Sequence, residues 1–150
     1  MKFTEEPRYE FFPKLNGNLE LPENERLTVE IIRPTGYQRK EFTSVIITRE
    51  YYPDDQPVDT DGNPRTVKKF KKITGETKVN ADYILRNCVG CIKNLTVVVT
   101  DKDGKKVERE ITNGAELAEC RAYGIADLIS EICIEVQSDE ITDAKKKITA

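Results

Sequence analysis

The sequence of 150 residues contains no histidine. Histidine is the commonest general base near neutral pH and the commonest nitrogen ligand of metals in proteins. Its absence excludes every Ser-His-Asp or Cys-His catalytic site. Glycine-rich phosphate loops, dinucleotide-binding fingerprints and metalloprotease helices are also missing. The sequence therefore identifies no catalytic chemistry, and we expect no cofactor.

Long apolar runs and an excess of positive charge are lacking as well. No run approaches the ~20 residues that cross a bilayer, and the N-terminal segment MKFTEEPRYEFF lacks the apolar region of a secretory signal. The formal net charge is −3, whereas nucleic-acid-binding domains normally present a basic face. We expect neither membrane nor nucleic acid as a partner, and a cytosolic location in which the four cysteines stay reduced.

The strongest periodic signals lie in residues 80–136. In NADYILRNCVGCIKNL the apolar residues recur every 3.6 residues, which indicates one amphipathic helix. LTVVVTDKDGKKVEREI predicts two strands around a tight turn, and AELAECRAYGIADLISEICIEV predicts a second, longer helix capped by Asn113 with Glu116. These patterns predict an α+β fold, in which a small antiparallel sheet packs with two main amphipathic helices.

The remaining segments suggest three parts. Residues 1–24 are interrupted by prolines and are predicted to form an extended arm. Residues 25–137 are predicted to form a single α+β domain, with a strand through Leu27–Ile31, a short helix capped by Thr35 and a long loop at residues 53–65. Residues 138–150 are predicted to form a polar, lysine-rich tail.

The four cysteines are the strongest candidates for a metal-binding or redox site. Cys88 and Cys91 form a CxxC motif, and a tetrahedral zinc site would need Cys120 and Cys133 as its other two ligands. If both lie on one helix, they are about 20 Å apart and cannot bind the same ion. A thioredoxin-like motif opens a helix, whereas this motif falls in the middle of a predicted one. Both cysteines fall on the apolar face, so the pattern favours core packing. Redox chemistry and weak metal binding remain the alternatives.

The candidate partner-binding residues lie in the arm and in the loop. Loops as long as residues 53–65 are often functional, although the spacing around Gly62 does not match a calcium-binding EF-hand loop. The basic stretch that follows, residues 65–72, is predicted to be a solvated strand. The candidate contacts are Tyr9, Phe11, Phe12, Asp54, Asp55, Asp59 and Asp61.

The C-terminal half resembles a known group of proteins. The order is ILRNCVGCIKNL, a DKDGK hairpin, ITNGAELAECRAYGIADLISEI and a lysine-rich end, with RLTVEIIRPTGYQRKEF upstream. This order resembles small tailed-bacteriophage morphogenesis proteins, including tail assembly chaperones, over about residues 25–147. The long loop and the final KKKITA have no counterpart in that pattern.

The resemblance implies a non-enzymatic role in tail assembly. It implies phage tail or virion proteins as partners and a location in the host cytoplasm or in the virion. A homo-oligomer is a separate option. The alternative is an independent cytosolic interaction or inhibitor domain that binds a host protein. A thiol-dependent redox or metal protein is the third hypothesis.

Overall fold

The computed structural model describes residues 1–67, 69–138 and 146–148, and it has mixed helices and antiparallel sheets, an α+β fold. The chain divides into two units. The first contains residues 1–42 and 80–150, and the second contains Thr43–Val79. This division differs from the predicted arm, single domain and tail. No helix in the described part of the chain is long and apolar enough to cross a membrane.

A four-stranded antiparallel sheet forms the centre of the first unit. Its strands are β1 (Arg8–Phe11), β2 (Thr28–Ile32), β5 (Val89–Lys93) and β8 (Lys146–Ile148), in the order β5-β2-β1-β8. The predicted arm therefore contributes an inner strand, because β1 pairs with β2 on one side and with β8 on the other. Residues 139–145 and 149–150 of the predicted tail lie outside the described residues.

The helices of this unit are shorter than the sequence predicts. The α-helices are α1 (Gly36–Arg39), α2 (Ala81–Cys88), α3 (Gly114–Ala118) and α4 (Ile125–Gln137). Two short 3₁₀ helices, Leu15–Glu20 and Glu23–Glu25, lie between β1 and β2. The caps are confirmed: Thr35 forms a capping box with Gln38, and the Asn113 side chain accepts a hydrogen bond from the Glu116 amide. The prediction of one long C-terminal helix is wrong. The segment forms two helices, α3 and α4, and Gly124, at φ +78°, lies directly before α4.

Two hairpins complete the fold. In the first unit β6 (Thr96–Thr100) pairs with β7 (Lys106–Glu110) around the predicted turn, where Gly104 has φ +77°. The second unit consists of β3 (Thr43–Tyr51), β4 (Phe70–Val79) and the loop that joins them. The β-branched and aromatic composition of Val45–Tyr52 (VIITREYY) predicts a strand, and β3 confirms that prediction.

The core of the first unit joins the sheet to the helices. Ile84, Leu85 and Cys88 of α2 and Leu128, Ile132 and Val136 of α4 are buried in one cluster with sheet residues. The sheet residues of this cluster are Tyr9, Phe11, Val29, Ile31, Val89 and Ile92. Tyr9 donates a hydrogen bond from its hydroxyl to Glu135 over 3.3 Å, which links β1 to α4.

Candidate functional site

The CxxC motif spans the end of a helix and the start of a strand. Cys88 is the last residue of α2 and is buried, whereas Cys91 lies on β5 and is exposed. The prediction that both cysteines share the apolar face of one helix is wrong for Cys91. Helix α2 stops because Val89 and Ile92 pair with β2, where they lie opposite Ile31 and Val29. Long-range pairing overrides the local helical period here.

The buried thiols are protected from ionisation. Burial raises the pKa of Cys88 to about 11, with the nearby Cys133 adding to the rise and Arg39 opposing it. Burial also raises the pKa of Cys133. Since the thiolate is the nucleophile and the metal ligand, neither thiol suits chemistry at neutral pH. Cys120 lies outside any helix, so the predicted shared helix with Cys133 is also wrong. Among the described residues no group of three or more cysteines and carboxylates could hold a metal ion.

The aromatic candidates in the predicted arm belong to the protein's own core. Tyr9, Phe11 and Phe12 are each 6 % exposed or less. Burial and the neighbouring Glu135 carboxylate raise the pKa of Tyr9, while Arg33 opposes the rise. Tyr9, Phe11 and Phe12 are therefore not available as partner contacts, because their side chains are already buried within the protein.

The acidic loop is a folded turn. The Asp59 carboxylate accepts hydrogen bonds from the amides of Asp61 and Asn63 over 3.0 and 2.9 Å. Asp101 makes the same pair of bonds to the amides of Asp103 and Lys105, both over 2.9 Å. Both turns read Asp-x-Asp-Gly, with the glycine at positive φ. The Asp59 carboxylate therefore has a structural role, as expected for an Asx turn.

The other loop carboxylates divide into bound and exposed groups. Asp55 accepts a hydrogen bond from the Lys69 amide over 2.7 Å and pairs with Arg65 over 3.3 Å. Asp54 and Asp61 are exposed at the surface. Of the four predicted acidic contacts, Asp54 and Asp61 remain candidates for binding a partner, because the Asp55 and Asp59 carboxylates bind groups within the loop.

The surface of the first unit has two clefts large enough to hold a ligand. One, of about 700 Å³, lies between residues 3–7 and residues 33–35. The other, of about 620 Å³, is an apolar groove lined by side chains such as Leu21, Leu95 and Tyr123. Neither is lined by any of the four cysteines. The thiols and the clefts are thus separate features.

The surface that sequence reasoning missed is the two-stranded ribbon formed by β3 and β4. Residues directly opposite each other on antiparallel strands share a face, and successive residues alternate between faces. Val45 lies opposite Thr77, Ile47 opposite Gly75 and Arg49 opposite Ile73. The apolar face of the ribbon therefore carries Val45, Ile47, Ile73 and Val79. These four side chains are between 47 % and 65 % exposed.

The opposite, polar face of the ribbon has paired charges. Glu50 lies opposite Lys72, and Ile46 lies opposite Glu76. Lys71, at the bulge in the pairing, lies 3.4 Å from the Glu50 carboxylate. The ribbon is thus amphipathic with a period of two residues. The sequence signal for this face is weak, because Ile46 interrupts the alternation of Val45 and Ile47 with polar residues. The partner residues on β4 also come from a segment that is dominated by lysines.

No protein-family model, curated protein or solved structure matches this chain.

Proposed function

We propose that this chain is a non-enzymatic assembly protein that acts through protein–protein contacts, and that its partners are tail or virion proteins of a tailed bacteriophage. The observation that carries the contact role is the exposed apolar face of the ribbon. The resemblance of residues 25–147 to phage morphogenesis proteins supports the choice of partner class.

An uncovered apolar face on a two-stranded ribbon favours a binding role for two reasons. Two-stranded hairpins are marginally stable in water by themselves, and a hydrophobic face that packs against something else stabilises them. Contiguous exposed apolar surface commonly marks a site of protein contact. Val45, Ile47, Ile73 and Val79 supply such a surface within one short stretch of two strands.

The energy available from this face is moderate. Full burial of a valine or isoleucine side chain contributes roughly 1.5–3 kcal/mol, so covering four side chains that are about half exposed contributes about 1 kcal/mol each. A gross gain of about 4 kcal/mol corresponds to only millimolar affinity before the costs of association. The ribbon must therefore contribute further contacts, through its edges or its loop, where Asp54 and Asp61 are exposed.

The experiment uses a matched pair of double variants. Val45→Thr with Val79→Thr removes two methyl groups from the apolar face while keeping β-branched side chains in the strands. Val98→Thr with Val107→Thr makes the same chemical change on the β6–β7 hairpin, where the two valines are 60 % and 44 % exposed. Purified tagged protein would be incubated with a lysate of phage-producing cells, and bound proteins identified by mass spectrometry.

We expect the wild-type chain and the Val98/Val107 variant to retain tail proteins, and the Val45/Val79 variant to lose at least about tenfold of that binding. Equal binding by both variants would refute the contact role of the apolar face. Retention of a host protein in place of tail proteins would refute the phage partner class and support the inhibitor-domain alternative. The presence of the chain in purified particles would identify it as a virion component.

A further inference from the structure

The outer edge of β3 is a second unpartnered feature of the ribbon. Strand β3 pairs with β4 along one side, and residues 43–48 have no second strand neighbour in the described part of the chain. An edge of this kind presents a row of backbone donors and acceptors to any strand that can reach it. The edge is distinct from the apolar face. In a strand the backbone N–H and C=O groups lie in the plane of the sheet, whereas the side chains project from its two faces.

The two edges of the ribbon differ in how they are protected. Strand β4 carries Lys71, Lys72 and Lys78, and lysine on an edge strand is a common device against unwanted pairing. Residues 43–48 of β3 read TSVIIT, with no charge, no proline and no glycine. Such a segment has high β-propensity and pairs readily with another strand. One protected edge and one unprotected edge on the same ribbon indicate that pairing takes place at β3.

We propose that β3 pairs in antiparallel orientation with β3 of a second copy of this chain, with Ile46 at the two-fold axis. The product is a four-stranded sheet in the order β4-β3-β3-β4. Three or more strands with a hydrophobic face give a sheet the stability that a two-stranded hairpin lacks. A two-fold contact of this kind uses the same residues on both copies and closes at two chains.

The sequence of β3 is self-complementary about Ile46. In this register Val45 lies opposite Ile47 of the second copy, and Ser44 lies opposite its Thr48. Thr43 lies opposite its Arg49, so no two like charges meet. A one-residue slip would place the apolar face of one ribbon beside the polar face of the other. Centring on Ile47 keeps the faces together but puts Val45 opposite an arginine, so Ile46 is the better centre.

This inference goes beyond the proposed function and does not depend on it. It arises from the edge of β3 and from Ile46 on the polar face, whereas the proposed function arises from the apolar face. Pairing brings two apolar faces side by side on the same side of one sheet, which leaves them available to another protein.

The test measures molecular mass in solution over a wide range of protein concentrations, by sedimentation velocity and by light scattering. The wild-type chain should approach twice 17.1 kDa as its concentration rises. Ile46→Lys should weaken this association by about tenfold or more, because two lysines would face each other at the axis. Within its own ribbon the new lysine lies opposite Glu76, so the hairpin keeps a favourable pair and its circular dichroism should not change.

Two further variants make the test specific for the register. Thr74→Lys adds the same charge on the same face but on β4, opposite Thr48, and should associate like the wild type. The double variant Ile46→Glu with Glu76→Lys reverses the central charge and keeps the cross-strand pair. It should remain monomeric alone and form a mixed dimer with Ile46→Lys.

A wild-type chain that stays at 17.1 kDa at all concentrations would overturn the proposal. Association of Ile46→Lys that is as strong as that of the wild type would overturn it too, as would the absence of a mixed dimer. These results would leave the tail-protein binding test untouched, because Val45 and Val79 are not altered in any of these variants.

Discussion

At the scale of the residue, the four cysteines show that environment decides chemistry more than motif does. Cys88 and Cys91 are three positions apart, yet one is buried in the core and the other is exposed on β5. The buried thiol holds its proton more tightly than a solvated thiol, since burial penalises the charged form. Cys91 is therefore the member of the motif that is open to reagents. In the described part of the chain, it belongs to no group of three or more side chains that could hold a metal ion.

The raised pKa of Cys88 predicts a pH dependence of stability. The group's pKa is about 11 in the folded protein against 9.0 for a solvated thiol. The folded state thus binds the proton more strongly, and this contribution is fully present below about pH 9 and is lost as the pH rises towards 11. We expect the free energy of unfolding to fall over this range, as measured by urea denaturation at several pH values.

Cys88→Ala separates this effect from other titrations, such as that of Tyr9. The variant should be less stable by about 1–2 kcal/mol at neutral pH because it leaves a small cavity. Its stability should then fall less steeply than that of the wild type above about pH 9. Cys91→Ala is the control and should keep the wild-type slope. Identical slopes for Cys88→Ala and the wild type would contradict the assignment of the proton to Cys88.

At the scale of the element, close packing determines where α3 can lie. Gly114 is the first residue of α3, and a β-carbon there would overlap the carbonyl oxygen of Leu85 in α2 and crowd Val89. The lack of a side chain at Gly114 therefore lets α3 approach the end of α2. Arg86 joins the same two regions from outside, with hydrogen bonds to Asp82 and Glu119 over 3.0 Å.

Gly114→Ala should accordingly destabilise the protein by about 3 kcal/mol, because the clash is with backbone that cannot move aside without shifting α2. Gly36→Ala is the control, since nothing lies within 4 Å of the position where its β-carbon would be. That variant should change stability by less than about 1 kcal/mol. Thermal unfolding followed by circular dichroism would measure both, and equal melting temperatures would contradict the packing argument.

The ribbon is the element to which both proposals assign a binding role. Its apolar face and its β3 edge can be altered by separate substitutions, at Val45 and Val79 for the face and at Ile46 for the edge. This separation follows from the alternation of side chains along a strand.

At the scale of the whole molecule, the chain leaves the first unit and returns to it at neighbouring points. The Asn80 amide donates to the Phe42 carbonyl oxygen over 2.8 Å, and the Asn80 side chain donates to the Glu41 carbonyl oxygen over 2.7 Å. Phe42 is buried and its ring lies 6.3 Å from that of Tyr83. These contacts within the first unit keep the point where the chain leaves it beside the point where the chain returns.

We expect the first unit to fold without the second. Replacement of residues 43–79 by a short Asn-Gly turn should leave a protein that unfolds cooperatively, with a melting temperature within about 5 °C of the wild type, since the core described above lies in the first unit. The same variant should lose both self-association and binding of tail proteins. A molten or aggregated product would contradict the independence of the first unit, and retained binding would exclude the ribbon as the contact surface.

Local patterns in the sequence by themselves determined the α+β class, the strand β2, the turn at residues 101–104 and the caps at Thr35 and Asn113. Each depends on neighbours in the chain, through alternation, turn chemistry and capping. The tertiary structure decided the end of α2 at Cys88, because pairing of β5 with β2 joins residues that are about sixty positions apart. It also decided the burial of Tyr9 and the exposure of the ribbon's apolar face, since burial is set by what packs against a side chain and not by the side chain's own type.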